Sequence, residues 1–154
     1  MTGIRFACGL LAAGMVATAA ACAPAGEHAP GKLPAAAVVS KQPSETLSPL
    51  FEQALPHVEG KTFTSAIADF PPGARAVPHR HGNAFVYAYV LDGTVRSQID
   101  GGPVRTYHQG ENWVEAPGVH HVLTENTSRT EPAKLLVIFI SNTGEELKVD
   151  DQPR

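Results

Sequence analysis

Residues 79–93 read HRHGNAFVYAYVLDG, and this stretch decides the fold and suggests the chemistry. Phe85 to Leu91 is rich in aromatic and β-branched residues and carries no charge, which predicts a strand. Asp92-Gly93 is a turn of the hairpin type, and Thr94 to Ile99 supply the return strand. Upstream, His79 and His81 stand two apart. Side chains two apart on a strand share a face, so both imidazoles can reach one point inside a barrel while Arg80 turns outward. Neutral imidazole suits Zn, Cu, Fe or Ni. The same pair also fits a strand end with two solvated histidines, because an H-x-H pattern alone is a weak signal.

The same rhythm continues on both sides. Thr62 to Phe70 alternate, and Pro71-Pro72-Gly73 turn the chain. Asp100-Gly101-Gly102 follow the return strand, then come Val104 to Tyr107, Gly110, Trp113 to Glu115 and the Pro117-Gly118 turn. His121 to Glu125 and Lys134 to Ser141 complete the set. Roughly eight short strands with no convincing helix among them predict an all-β antiparallel barrel or jelly roll. The 14 glycines and 13 prolines of the 154-residue chain suit so many turns. With a net charge of -3 and no basic stripe, nucleic-acid binding is excluded as a function class.

The N-terminus reads differently. Arg5 precedes an apolar run from Phe6 to Ala21, and small residues lead to Cys22. Residues 1–21 are expected to be a signal peptide. The pattern before Cys22 resembles a bacterial lipoprotein signal, with Ala19 where Leu is usual; ordinary cleavage after an Ala-x-Ala site is the rival. The expected location is the periplasm or the outer face of the cell envelope, with a lipid on Cys22 as the only membrane contact. Cys8 would be removed, and Cys22 alone forms no internal bridge. Residues 22–60 are Pro-, Ala- and Ser-rich and read as a flexible tether and N-terminal arm. Within it, Ala35 to Ser40 suggest a docking strand. Leu47 to Leu55 suggest a short helix, with Ser48 as cap and Pro49 at its first position. The barrel is assigned to residues 61–141 and a loose acidic tail to 142–154. A domain of about eighty residues has limited apolar burial, so a homodimer through the outer sheet is expected.

The spacing around the histidines resembles the cupin superfamily. Gly73, five residues, His79, one residue, His81 and then Gly93 match its first motif. Gly110, Gly118 and His121 match the spacing of its second, with Pro117 displaced by one place and Asn126 one residue beyond the usual position. The resemblance covers Lys61 to Ser141 and implies a double-stranded β-helix. It also implies three metal-ligating histidines: His79, His81 and His121. His120 competes for the third place, but spacing from Gly118 favours His121. His28, His57 and His108 have no motif.

The chain departs from the family at the acid. Where cupins usually place a Glu ligand, this sequence has Val86. Asn83 and Gln98 are the nearest other donors. The expected site is therefore three imidazoles around a divalent transition metal, with Fe(II) favoured and Mn, Ni, Cu or Zn as alternatives. Without an acid, such a site leaves the ion's charge uncompensated and favours anionic ligands. Glu115 shares a face with Trp113. If that face is inward, Glu115 fixes a histidine tautomer or acts as the catalytic base; if outward, it is a surface charge. Tyr87 and Tyr89 lie opposite Val86 and suit packing. Arg96 and Arg105 are expected to be solvated or paired with Asp100 or Glu111.

These readings lead to an exported cupin acting on a small organic molecule at a three-histidine site, with the family implying dioxygenase-like chemistry. The alternative is a non-enzymatic cupin that holds a metal or small ligand.

Overall fold

Ten strands and no helix make up the computed structural model, which describes residues 42–152. The strands are β1 (Thr46–Ala54), β2 (Lys61–Phe70), β3 (His79–Arg80), β4 (Phe85–Asp92) and β5 (Thr94–Ile99), followed by β6 (Arg105–His108), β7 (Asn112–Glu115), β8 (His120–Asn126), β9 (Ala133–Asn142) and β10 (Val149–Asp150). They form two five-stranded antiparallel sheets, ordered β1-β2-β9-β4-β7 and β10-β3-β8-β5-β6. The chain passes back and forth between them, as in a double-stranded β-helix. The signal segment, Cys22 and Ala35 to Ser40 lie outside the described residues.

Period-two patterning drives this arrangement. Along β2 every second residue is buried, so Ala66, Ala68 and Phe70 face inward. Along β4, Val86, Ala88 and Val90 do the same, and along β9 so do Leu135, Val137 and Phe139. These side chains form one apolar cluster with Trp113 and Val95. Phe139 is fully buried, a placement worth about 1.5–3 kcal/mol over exposure. The Asp92-Gly93 turn carries the register from one sheet to the other. Gly93 has φ 74°. An added Cβ there would lie 2.6 Å from the Pro132 carbonyl oxygen, so a side chain fails on both counts.

Three expectations need correction. Leu47 to Leu55 are not helical: Thr46–Ala54 is a strand, paired antiparallel with β2 from Thr46↔Asp69 to Ala54↔Thr62. Ser48 and Pro49 imitate a helix start, but β1 is an edge strand and its register shifts between Pro49 and Phe51. An edge or a bulge is where a strand tolerates proline. Sheet-forming residues therefore begin well before Lys61, within the segment read as tether. Nor is the chain beyond Asn142 loose. Thr143 N–H donates to the Gly60 carbonyl at 2.9 Å, β10 pairs with β3, and Asp151 N–H reaches the Pro78 carbonyl at 2.8 Å. Finally, Arg96 pairs with Glu125 across β5 and β8, not with Asp100 or Glu111; its Nε donates at 2.8 Å.

Candidate metal centre

β3 and β8 run side by side with His79 opposite His121. Alternation buries His79 and His81 and exposes Arg80, whose guanidinium donates to the Gly118 carbonyl at 3.0 Å. The structure brings His79, His81 and His121 together, all buried, with one ring nitrogen of each within 4.8 Å of the others. His120 points away and pairs with Asp151 at 2.9 Å. His108 lies outside the barrel beside Glu111, and His57 occupies the β1–β2 turn with φ 62°.

Hydrogen bonds fix the tautomers. His79 Nδ1 lies 2.6 Å from the Val77 carbonyl, and His81 Nδ1 lies 2.5 Å from the Leu147 carbonyl. A carbonyl only accepts, so both Nδ1 atoms carry the proton and both Nε2 atoms present a lone pair. Anchoring a ligand histidine through its far nitrogen is the usual support of a metal site. Burial pushes His79 down to about 4 despite the Val77 carbonyl, and its neighbours His81 and His121 push the same way. Burial also lowers His81, against the raising effect of Glu115. Both rings are therefore neutral at pH 7, the form a metal takes.

The acid comes from an unexpected strand. Val86 is buried in the apolar cluster, and the residue paired with it across β4 and β7 is Glu115. Glu115 faces inward with Trp113 and is 3% exposed. Its Oε1 accepts from His121 Nδ1 at 3.0 Å and from Trp113 Nε1 at 3.1 Å. Its Oε2 lies 3.6 Å from His81 Nε2 and has no hydrogen-bond partner, which distinguishes it among the buried side-chain atoms described. Burial alone would raise this carboxyl; the hydrogen bond from His121, the electrostatic pull of the His121 and His81 rings and the Trp113 bond outweigh it and leave the pKa lowered. The metal-ligating group itself comprises three imidazoles, and the carboxylate beside it is Glu115, on the inward face that lets it orient a histidine. Asn83 and Gln98, the other donors considered, are engaged elsewhere. Asn83 bonds Glu145, and Gln98 bonds the Gly102 carbonyl at 3.0 Å.

His121 is held on both sides. With Nδ1 turned to Glu115, its Nε2 lies 2.7 Å from both Ser97 Oγ and Thr124 Oγ1. His79 and His81 fit a metal as they stand; His121 fits once it exchanges one hydrogen bond for the ion. An orphaned carboxylate oxygen beside two free imidazole lone pairs is the donor set that a divalent cation completes. Four side chains here had no motif to reveal them. Ser97 and Thr124 grip His121, and Glu45 and Lys148 line the cavity above the histidines. The signal for Ser97 was a polar residue at an inward position between Val95 and Ile99. Asn126 is buried but structural, its amide donating to the Phe70, Pro71 and Glu131 carbonyls.

The family model that matches, described as Cupin domain, covers residues 66–139. Residues 66–139 match the cupin domain. Solved structures share the fold. DMSP lyase DddQ from Ruegeria pomeroyi is 19% identical, with TM-score 0.59 over 72% of this chain and 53% of that one. A conserved protein with a double-stranded β-helix domain from Klebsiella pneumoniae is 16% identical, with TM-score 0.56 over 74% and 90%. An oxalate oxidase solved with the substrate analogue glycolate is 22% identical, with TM-score 0.55 over 72% and 57%. The chain spans little more than half the length of either enzyme. No curated protein matches it significantly. Within the matched residues, His79 on β3 lies opposite His121 on β8, and Val86 on β4 lies opposite Glu115 on β7.

Proposed function

We propose that the chain is a metal-dependent cupin that acts on a small organic molecule, with His79, His81 and His121 holding a divalent transition metal and Glu115 beside them. The observation that carries this reading is the unpartnered Glu115 Oε2, turned toward a cluster in which two histidines already have their far nitrogens anchored. A bound Fe(II), the favoured ion, would supply Lewis acidity and a place for substrate and O₂ together, which makes dioxygenase-type chemistry the leading class. The protein's own part is to fix tautomers, exclude bulk water and hold a proton between Glu115 and His121. A buried carboxylate next to a histidine can accept and return a proton, so Glu115 is the candidate base.

Elemental analysis of anaerobically purified full-length protein tests the reading. Stoichiometric metal is expected, and the double variant His79→Ala/His81→Ala should carry none. Unchanged metal in that variant would overturn the site. O₂ uptake with candidate substrates then separates an oxygenase from a cupin that merely holds a metal or ligand. The small cavity, about 50 Å³, keeps that second reading in view. Export, a lipid on Cys22 and a homodimer belong to the same proposal; palmitate labelling of wild type and Cys22→Ser, and sedimentation at high concentration, test them.

A further inference from the structure

The cavity above the histidines is walled by Ala68, Phe70, Ala88, Leu135 and Val137. At about 50 Å³ it has room for roughly three to five water-sized groups, at about 10–15 Å³ each. Two segments from opposite ends of the described chain also line it. Glu45, just before β1, meets Lys148, just before β10, at 3.0 Å. Their side chains are 8% and 21% exposed, and Lys148 also pairs with Asp150. Lys148 is the one lysine or arginine that lines this cavity.

A mostly buried ion pair is a poor device for lining a largely apolar cavity. Desolvating two charges offsets much of their attraction, and apolar residues of similar volume often serve stability as well or better. An ammonium in the wall of such a cavity does suit one ligand class. It lowers the cost of burying an anion that is itself too small to bring its own counter-charge.

We propose that Lys148 is the recognition residue for a small carboxylate substrate, and that Glu45 occupies the substrate's place on the ammonium until it arrives. The incoming carboxylate displaces Glu45, which swings out on the segment before β1, and Asp150 stays as the outer partner of Lys148. This proposal names the substrate class for the site described above. It rests on the metal reading to the extent that the ligand's inner end meets the histidines, where a divalent ion would offset the charge of Glu115.

Acetate and acetamide share shape and size and differ in charge, so they are suitable probes. Each is titrated into full-length protein as purified, followed by amide NMR shifts of Ala88 and Leu135, with metal content measured in every sample. Wild type should bind acetate and not acetamide. Lys148→Met should weaken acetate about tenfold or more, the loss expected of a hydrogen bond to a charged group. Glu45→Gln should strengthen it severalfold, a gain that damage to the fold does not produce. Equal affinities for acetate and acetamide, or unchanged acetate binding in Lys148→Met with full metal content, overturn the recognition role. Unchanged or weakened binding in Glu45→Gln overturns the displacement. Absence of metal from wild type counts against the metal reading alone, and the dependence on Lys148 is then read in the same titration.

Discussion

The two sheets present opposite inner walls. The wall formed by β2, β4 and β9 is apolar, with Ala66, Ala68, Phe70, Val86, Ala88, Val90, Leu135, Val137 and Phe139 buried on it. The wall formed by β3, β5 and β8 places His79, Ser97, His121 and Thr124 at equally buried positions. Stability is concentrated on one side and chemistry on the other. Thr62, Thr64 and Ser141 are also buried on the first sheet, but Glu115, on β7 at its edge, is the buried charged residue there and reaches across to the second wall. The division teaches that a buried position in this barrel cannot be assigned to core or site from burial alone; the wall it belongs to decides.

The contrast can be broken most severely at Phe139. Phe139→Ala should cost about 3–5 kcal/mol of unfolding free energy by urea titration, and a loss under 1 kcal/mol would deny the apolar wall its role. The polar wall should show itself in pH dependence. In metal-free protein, His79 is neutral with its pKa held at about 4, below the 6.5 of an unconstrained histidine. The unfolded chain therefore binds a proton that the folded chain refuses. The stabilisation is present above about pH 6.5 and is lost as pH falls toward 4, a change on the order of 3 kcal/mol. Denaturation curves that coincide at pH 7.5 and pH 4.5 would contradict it.

Glu115 sharpens the comparison because it bridges the walls. Glu115→Gln should weaken metal binding about 10–100-fold in a chelator competition assay. Moving the acid back, with Val86→Glu and Glu115→Val together, should recover most of that loss, because positions 86 and 115 are directly paired. If the double variant binds metal no better than Glu115→Gln, the two positions are not equivalent. The smallest effect is expected outside both walls. Arg96 is half exposed beside Glu125, and Arg96→Ala should change stability by no more than about 1 kcal/mol.

Much of this was legible in the sequence because alternation is local. β2, β4 and β9 declare their inward faces, Asp92-Gly93 declares the turn, and the paired spacing of His79, His81 and His121 declares the cluster. Val86 could be recognised as an empty ligand position. That Glu115 is paired with Val86 could not, since cross-strand register is a tertiary fact. β1 was misread because Ser48-Pro49 satisfies a helix start locally, while its strand partner is distant in sequence. Glu45 and Lys148 left no trace for the same reason: 103 positions separate them (148 less 45), and only the closed barrel makes them neighbours.

The bond from His81 Nδ1 to the Leu147 carbonyl has a thermodynamic consequence. It joins a proposed metal ligand to a segment held by the pairing of β10 with β3 and by the hydrogen bond from Asp151 N–H to the Pro78 carbonyl. Coupling of this kind is reciprocal. If docking of residues 143–151 raises metal affinity by some factor, metal must raise the docking constant by the same factor. The C-terminal segment would then report on metal occupancy: limited proteolysis there should slow as the site fills, with no substrate present and no change in the barrel itself.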